Sequence, residues 1–131
     1  MFDLKTRVLI VDDAMTMRKL VSKMCKDIGF TDITEAADGV LAWEVITKAS
    51  PPLGLVISDW NMPNCTGLEL LTKLRADGRF AALPFLMVTA EAEQHQIANA
   101  IKMGVDNYVV KPFAQVMLAE KIEAVHKKRG G

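Results

Sequence analysis

Cysteine, histidine and tyrosine are scarce in this chain, at two, two and one among 131 residues. Cys25 and Cys65 make no metal-ligand spacing with His95 or His126, which excludes a zinc site of the usual kind and a disulfide framework. Cys25 falls on the apolar side of a predicted helix, the setting of a reduced structural thiol. An excess of charge is lacking too. Sixteen Lys and Arg balance sixteen Asp and Glu, so no net field favours nucleic acid or an anionic membrane. No apolar run approaches the roughly 20 residues of a membrane span, and the N-terminus lacks the layout of a signal peptide. The run His126-Lys127-Lys128-Arg129 is expected to be a solvated helix end. Repeats, linkers and low-complexity segments are absent. These absences lead to the expectation of one cytoplasmic, monomeric domain over 1–131, without nucleic-acid or membrane partners.

What is present is an alternation. Short apolar runs, predicted as strands at 7–11, 33–36, 55–58, 85–88 and 107–110, alternate with amphipathic stretches of ten to fifteen residues. That pattern predicts repeated βα units. In the first helix Met17, Leu20, Val21, Met24 and Ile28 recur at helical spacing, and Gly29 stops it. Asp38 is placed to cap a second helix running to about Ala49. Thr66-Gly67-Leu68-Glu69 has the capping-box form of a third, ending near Asp77-Gly78. Thr89 is placed to cap the fourth, which runs to Gly104 through Ile97, Ala100 and Ile101. The fifth follows Pro112 and carries Leu118, Ile122 and Val125 inward. The expected fold is α/β, a doubly wound (βα)5 three-layer sandwich on a five-stranded parallel sheet.

The polar residues at the strand ends are more specific. Asp12 and Asp13 follow Val8-Leu9-Ile10-Val11, Asp59 follows Leu55-Val56-Ile57-Ser58, and Lys111 ends Tyr108-Val109-Val110. Open α/β folds collect their chemistry at the carboxyl ends of strands, where the strand order switches. With the first and third strands adjacent, their ends lie roughly 5 Å apart. Two carboxylates about 4 Å apart repel by about 4 kcal/mol at an effective dielectric of 20, so such a cluster takes up protons or binds a cation. All-oxygen ligation favours Mg²⁺ over zinc. Lys111 starts roughly 10 Å from Asp59, two strands over, within reach of its four-carbon stem. A carboxylate nucleophile, a cation site and a lysine are the parts that phosphoryl transfer needs. Taken singly, Asp12-Asp13 reads as a helix N-cap pair, Thr89 as a cap, Asp59 as a loop residue and Lys-Pro as a turn. Four such features at four strand ends carry the functional reading.

With Val11-Asp12-Asp13 and Met15-Thr16-Met17-Arg18, Ser58-Asp59-Trp60-Asn61-Met62-Pro63, Val88-Thr89-Ala90-Glu91 and Tyr108-Val109-Val110-Lys111-Pro112-Phe113, the chain resembles the receiver domains of two-component response regulators, in particular those of chemotaxis. The resemblance covers essentially the whole chain. It implies the flavodoxin-like strand order 2-1-3-4-5, which is taken from the family and not from the residues. It also implies Asp59 as phosphoacceptor, and Asp12, Asp13, Asp59 and the backbone carbonyl of Asn61 as Mg²⁺ ligands, Asp12 through water. Thr89 and Lys111 would hold the phosphoryl oxygens, with Asn61 and Ala90 beside them, and the Lys111–Pro112 bond would be cis. Thr89 and Tyr108 would form the switch; Ile97, Ile101, Tyr108 and Lys121 would form the partner surface. The implied function is phosphorylation by a histidine kinase and signalling to the flagellar motor switch, with a dedicated phosphatase a further possible partner. No output domain follows residue 131, so the output is expected to be a protein contact. Asn61 and Glu91 would sit beside a water that attacks the acyl phosphate.

The chain departs from the family pattern at Cys65-Thr66, Glu93, Gln94, Ile101 and Ala114, where an uncapped helix could cost about 1 kcal/mol. Two other functions fit less of the sequence. A phosphate sink or phosphorelay intermediate would share the pocket and differ in its partner surface. A phosphatase of the haloacid dehalogenase type would carry Asp-x-Asp after its first strand, whereas here the acidic pair is adjacent and the nucleophile follows the third. The expectation is therefore a signalling phosphoacceptor and not an enzyme.

Overall fold

A computed structural model describes residues 2–90 and 94–130. Five strands alternate with five helices in the order β1 (Arg7–Val11), α1 (Met15–Ile28), β2 (Asp32–Ala36), α2 (Gly39–Lys48), β3 (Leu55–Asp59), α3 (Gly67–Ala76), β4 (Phe85–Thr89), α4 (Gln94–Lys102), β5 (Asn107–Val110) and α5 (Gln115–Lys128). The strands form one parallel sheet in the order β2-β1-β3-β4-β5, the doubly wound flavodoxin-like arrangement. Strands lie within a residue of their predicted bounds. β3 and β4 extend to include Asp59 and Thr89 themselves, so both side chains are held by sheet pairing.

The period-2 alternation of each strand sends its side chains to opposite layers. Val8, Ile10, Leu55, Ile57, Leu86 and Val88 pack with Val21 and Cys25 of α1 and Leu118, Ile122 and Val125 of α5. Leu9, Val11, Val56, Phe85 and Met87 pack on the other side with Ala42, Ile46, Leu70, Leu71 and Ala100 of α2, α3 and α4. The sheet thus has helices on both faces, which is why β3 and β4 read as continuous apolar runs. Among the predicted inward residues of α1, Leu20 is exposed, and Ser22 is buried in its place. Val21, Ser22 and Cys25 form the buried stripe of α1, and Leu20 lies just off it.

The helix signals largely correspond to observed caps. Asp38 accepts from the Leu41 amide at 2.9 Å, and both arms of the Thr66/Glu69 capping box are made. Gly29 takes φ 130° at the end of α1, a conformation that side chains with a Cβ rarely adopt. Ala114 gives α5 no side-chain cap, as its sequence implied. The capping of α4 by Thr89, and the readings of Glu91 and Glu93, fall on or across residues outside those described. Lys111–Pro112 is cis as expected, and Ser50–Pro51 is cis as well.

The basic C-terminal run closes α5 with Lys127, Lys128 and Arg129 exposed, as expected, and two of them are also tied down. Arg129 Nε lies 2.8 Å from Asp106 Oδ1, and Lys128 donates to the Val105 carbonyl at 3.2 Å. Asp106, whose side chain is buried, also meets Arg75 at 3.3 Å and accepts from the Phe85 amide at 2.8 Å. One carboxylate therefore ties the ends of α3 and α5 to the starts of β4 and β5.

Both cysteines are unpaired and buried. Burial pushes the Cys25 thiol up to about 12, so almost no reactive thiolate exists at neutral pH. Native protein at pH 8 is expected to leave Cys25 unlabelled by an alkylating reagent over hours, with labelling appearing on unfolding. Rapid modification of Cys25 in the folded state would contradict this packing.

Candidate phosphoacceptor and metal site

The site lies at the carboxyl edge of the sheet, where β1 and β3 are neighbours although a full βα unit separates them in sequence. Parallel register pairs Val11 with Ser58, so Asp12 and Asp59 leave the two strands side by side. Asp12, Asp13 and Asp59 each offer a carboxylate oxygen within 4.8 Å of the others. Asp12 and Asp59 are buried and Asp13 is exposed, so the cluster opens to solvent on the Asp13 side. Among the described residues this is the one group of acidic, histidine or cysteine side chains arranged to hold a metal.

Lys111 spans the two strands from β5. Its Nζ lies 3.2 Å from Asp59 Oδ1 and 3.4 Å from Asp12 Oδ2, and its amide donates to the Thr89 carbonyl at 2.7 Å. One ammonium against three carboxylates leaves an excess of negative charge. Burial is the main cause that raises Asp59 above the usual carboxylate range; the charge of Asp12 adds to it and Lys111 opposes it. The donor set is all oxygen, crowded and short of positive charge. It therefore fits a hard divalent cation and lacks the nitrogen or sulfur ligands that zinc favours.

Asp12 is fixed on every polar atom. Its amide donates to Ala36 at 3.2 Å, Oδ1 accepts from the Ala14 amide at 2.9 Å, and its carbonyl accepts from Arg18 at 2.8 Å. Asp59 is supported from behind by Gly67. A Cβ at that position would run into the Asp59 carbonyl oxygen and come within 2.9 Å of Met87 Sδ, and the Gly67 amide donates to Trp60 at 2.9 Å. The sequence showed Gly67 only as part of a capping box. Its close approach to the end of β3 requires tertiary structure to see.

The remaining expected residues take the following positions. Thr89 is buried at the end of β4, beside β3, where Val88 pairs with Asp59. Asn61 and Ala90 are exposed in the loops after β3 and β4. Tyr108 is half-buried, packed against the α2–α4 side of the core, and Lys121 Nζ sits 5.3 Å from its ring centroid. Ile97 is half-buried on α4, and Ile101 is 58% exposed. Sequence reasoning assigned no role to Arg18, which bridges Asp12 and Glu35; its Met-x-Met-Arg context gave no sign of the pairing with β2.

Among the described residues no helix is long and apolar enough to cross a membrane. The family model for the response regulator receiver domain matches residues 8–123. Chemotaxis protein CheY of Pseudomonas aeruginosa is 45% identical over 125 residues, which cover 95% of this chain and 99% of the relative. Chemotaxis protein CheY1 of Helicobacter pylori is 43% identical over 119 residues, 91% of this chain and 95% of the relative. The solved structure of chemotaxis response regulator CheY4 of Vibrio cholerae matches with a TM-score of 0.83 at 32% identity, over 92% of this chain and 98% of that one. The acidic Asp12, Asp13 and Asp59 pocket is typical of the phosphoacceptor site of receiver domains, which are signalling phosphoacceptors rather than enzymes. The chain belongs to the response regulator receiver domain family, as a chemotaxis response regulator of two-component signalling.

Proposed function

We propose that Asp59 accepts a phosphoryl group from a histidine kinase and that the phosphorylated protein binds the flagellar motor switch in the cytoplasm. The observation that carries this reading is the contact of Lys111 with Asp59 inside the acidic triad. The nucleophile, the cation ligands and the group that holds a phosphoryl oxygen meet at one strand edge. A carboxylate oxygen of Asp59 attacks phosphorus, the P–N bond of the phosphohistidine breaks, and the electron pair leaves with the imidazole nitrogen. Asp12, Asp13, Asp59 and the Asn61 carbonyl would hold Mg²⁺, which offsets negative charge on the phosphoryl oxygens. Lys111 and Thr89 then bind the transferred group, with Asn61 and Ala90 beside it.

The output runs through Tyr108. Thr89 and Val110 are register partners on β4 and β5, and Tyr108 lies two residues earlier on β5. A movement of Thr89 towards the phosphoryl group would free space for the Tyr108 ring. Tyr108, with Lys121 Nζ 5.3 Å from its ring centroid, would form with Ile97 and Ile101 of α4 an apolar surface with a basic edge, suited to a short amphipathic segment. A phosphate-sink role would use the same pocket without that contact.

Titration of a labelled motor-switch peptide from the same organism separates the two. Phosphorylated wild type is expected to bind it about tenfold or more tightly than the unphosphorylated form. Absence of binding under saturating phosphorylation would transfer the assignment to the phosphate sink.

A further inference from the structure

Arg18 contacts two elements that the acidic site depends on. Its Nη1 donates to the Asp12 carbonyl at 2.8 Å, and its Nε meets Glu35 Oε1 on β2 at 3.0 Å. Both partners of that ion pair are largely enclosed, with side-chain exposures of 15% and 23%. Lys19 holds the other Glu35 oxygen at 3.1 Å. Glu35 is thus braced by two consecutive residues of α1, and Arg18 is stretched between it and the loop that carries Asp12 and Asp13.

The Asp12 carbonyl belongs to the peptide that joins Asp12 to Asp13. Fixing that oxygen fixes the peptide plane and therefore the direction from which Asp13 leaves the chain. Asp12 has other restraints through Ala36, Ala14 and Lys111, whereas Asp13 is exposed and stands at the open side of the triad. Three carboxylates this close repel one another, and the exposed one is the member free to swing away. Mg²⁺ tolerates little departure from octahedral geometry, so a site whose ligands splay binds it poorly.

We infer that Arg18 is a positioning residue for the cation site: anchored on Glu35, it holds the Asp12–Asp13 peptide so that the two carboxylates converge with Asp59. This rests on the Mg²⁺ reading of the triad. Electrostatics and positioning make opposite demands here. Removing a guanidinium charge near three carboxylates would tighten cation binding by Coulomb attraction alone. If Arg18 acts by position, its removal weakens binding. Supporting groups of this kind typically change metal affinity by about 10–100-fold.

The test is calorimetric titration of Mg²⁺ into the phosphate-free wild type, Arg18→Met, Arg18→Lys, Glu35→Gln and the double variant Arg18→Met/Glu35→Gln, with thermal melting in chelator run beside it. Arg18→Met is expected to raise the Mg²⁺ Kd about tenfold. Arg18→Lys keeps the charge but lacks the planar fork that reaches two acceptors, so it is expected to restore only part of that loss. Glu35→Gln should weaken Mg²⁺ in the same direction, and the double variant should match Arg18→Met, because Glu35 acts through the arginine. Unchanged or tighter binding by Arg18→Met, or additive losses in the double variant, would overturn the positioning role. If Arg18→Met does not fold, Arg18→Lys with wild-type affinity would do so. No Mg²⁺ binding by the wild type would overturn the metal reading, and this inference with it.

Discussion

Asp59→Asn is expected to accept no phosphate from either a phosphohistidine donor or a small phosphodonor, a loss of at least a hundredfold in incorporated label. The substitution keeps the shape of the side chain and removes the nucleophilic charge. It should also melt at a higher temperature than the wild type at pH 7 in chelator. The sign follows from the environment. Asp59 is held above the usual carboxylate range, by burial first and the Asp12 charge second, and Lys111 offsets this only in part. A carboxyl raised in the folded state binds its proton more tightly there than in the unfolded chain. Its ionisation therefore costs stability as pH rises from the ordinary carboxylate range through the raised value, and that cost persists at neutral pH. An amide removes it. The melting difference should shrink on acidification, as the wild-type carboxyl takes up its proton, and on adding Mg²⁺, which stabilises the wild-type triad more than a variant that has lost one ligand charge. Undiminished labelling would remove Asp59 as the phosphoacceptor. A lower melting temperature at neutral pH would show that Lys111 more than compensates the repulsion among the carboxylates.

The chemistry of this chain is legible in sequence because it hangs on strand ends. Each apolar run marks a strand, and the polar residue that follows it has nowhere to go but the carboxyl edge of a parallel sheet. Asp12, Asp13, Asp59 and Lys111 could therefore be grouped before any coordinates, once the first and third strands were taken as neighbours. Strand order itself is not written in the residues and came from the family resemblance. The side chains that brace the site are harder to see. Arg18 and Glu35 are 17 residues apart on different elements, and Arg75 and Asp106 are 31 apart; neither pair has a periodic signature. A buried charge in such a sequence looks like any loop or surface charge until its partner is placed. Leu20 shows the converse, an apolar residue with helical spacing that lies off the buried stripe of its helix and stays in solvent.

Asp106→Ala is expected to cost the largest part of the fold's stability of any single change outside the core, about 3–5 kcal/mol. The carboxylate stands at the end of the sheet opposite the acidic triad and is met by groups from three elements. Phe85 at the start of β4 gives it an amide hydrogen bond at 2.8 Å. Arg75 from α3 meets it at 3.3 Å while also donating to Gly104, Phe80 and Leu83 carbonyls, and Arg129 from α5 approaches its other oxygen at 2.8 Å. Truncation would leave the Phe85 amide unpaired in the interior and the Arg75 charge, 13% exposed, without a counterion. Both are expensive because water does not reach them. For a domain of this size the loss should lower Tm by on the order of 10 °C or more. Asp106→Asn retains an acceptor for Phe85 and should fall between. Arg129→Ala, removing the more exposed arm, should cost about 1 kcal/mol. Because the network lies away from Asp59, the folded fraction of each variant should still take up phosphate. Chemical denaturation of the three variants, with phosphorylation measured well below the midpoint, checks both halves. An Asp106→Ala protein that melts within a degree or two of the wild type would show that the two arginines find water or new partners, and that this end of the sheet is held by apolar packing alone.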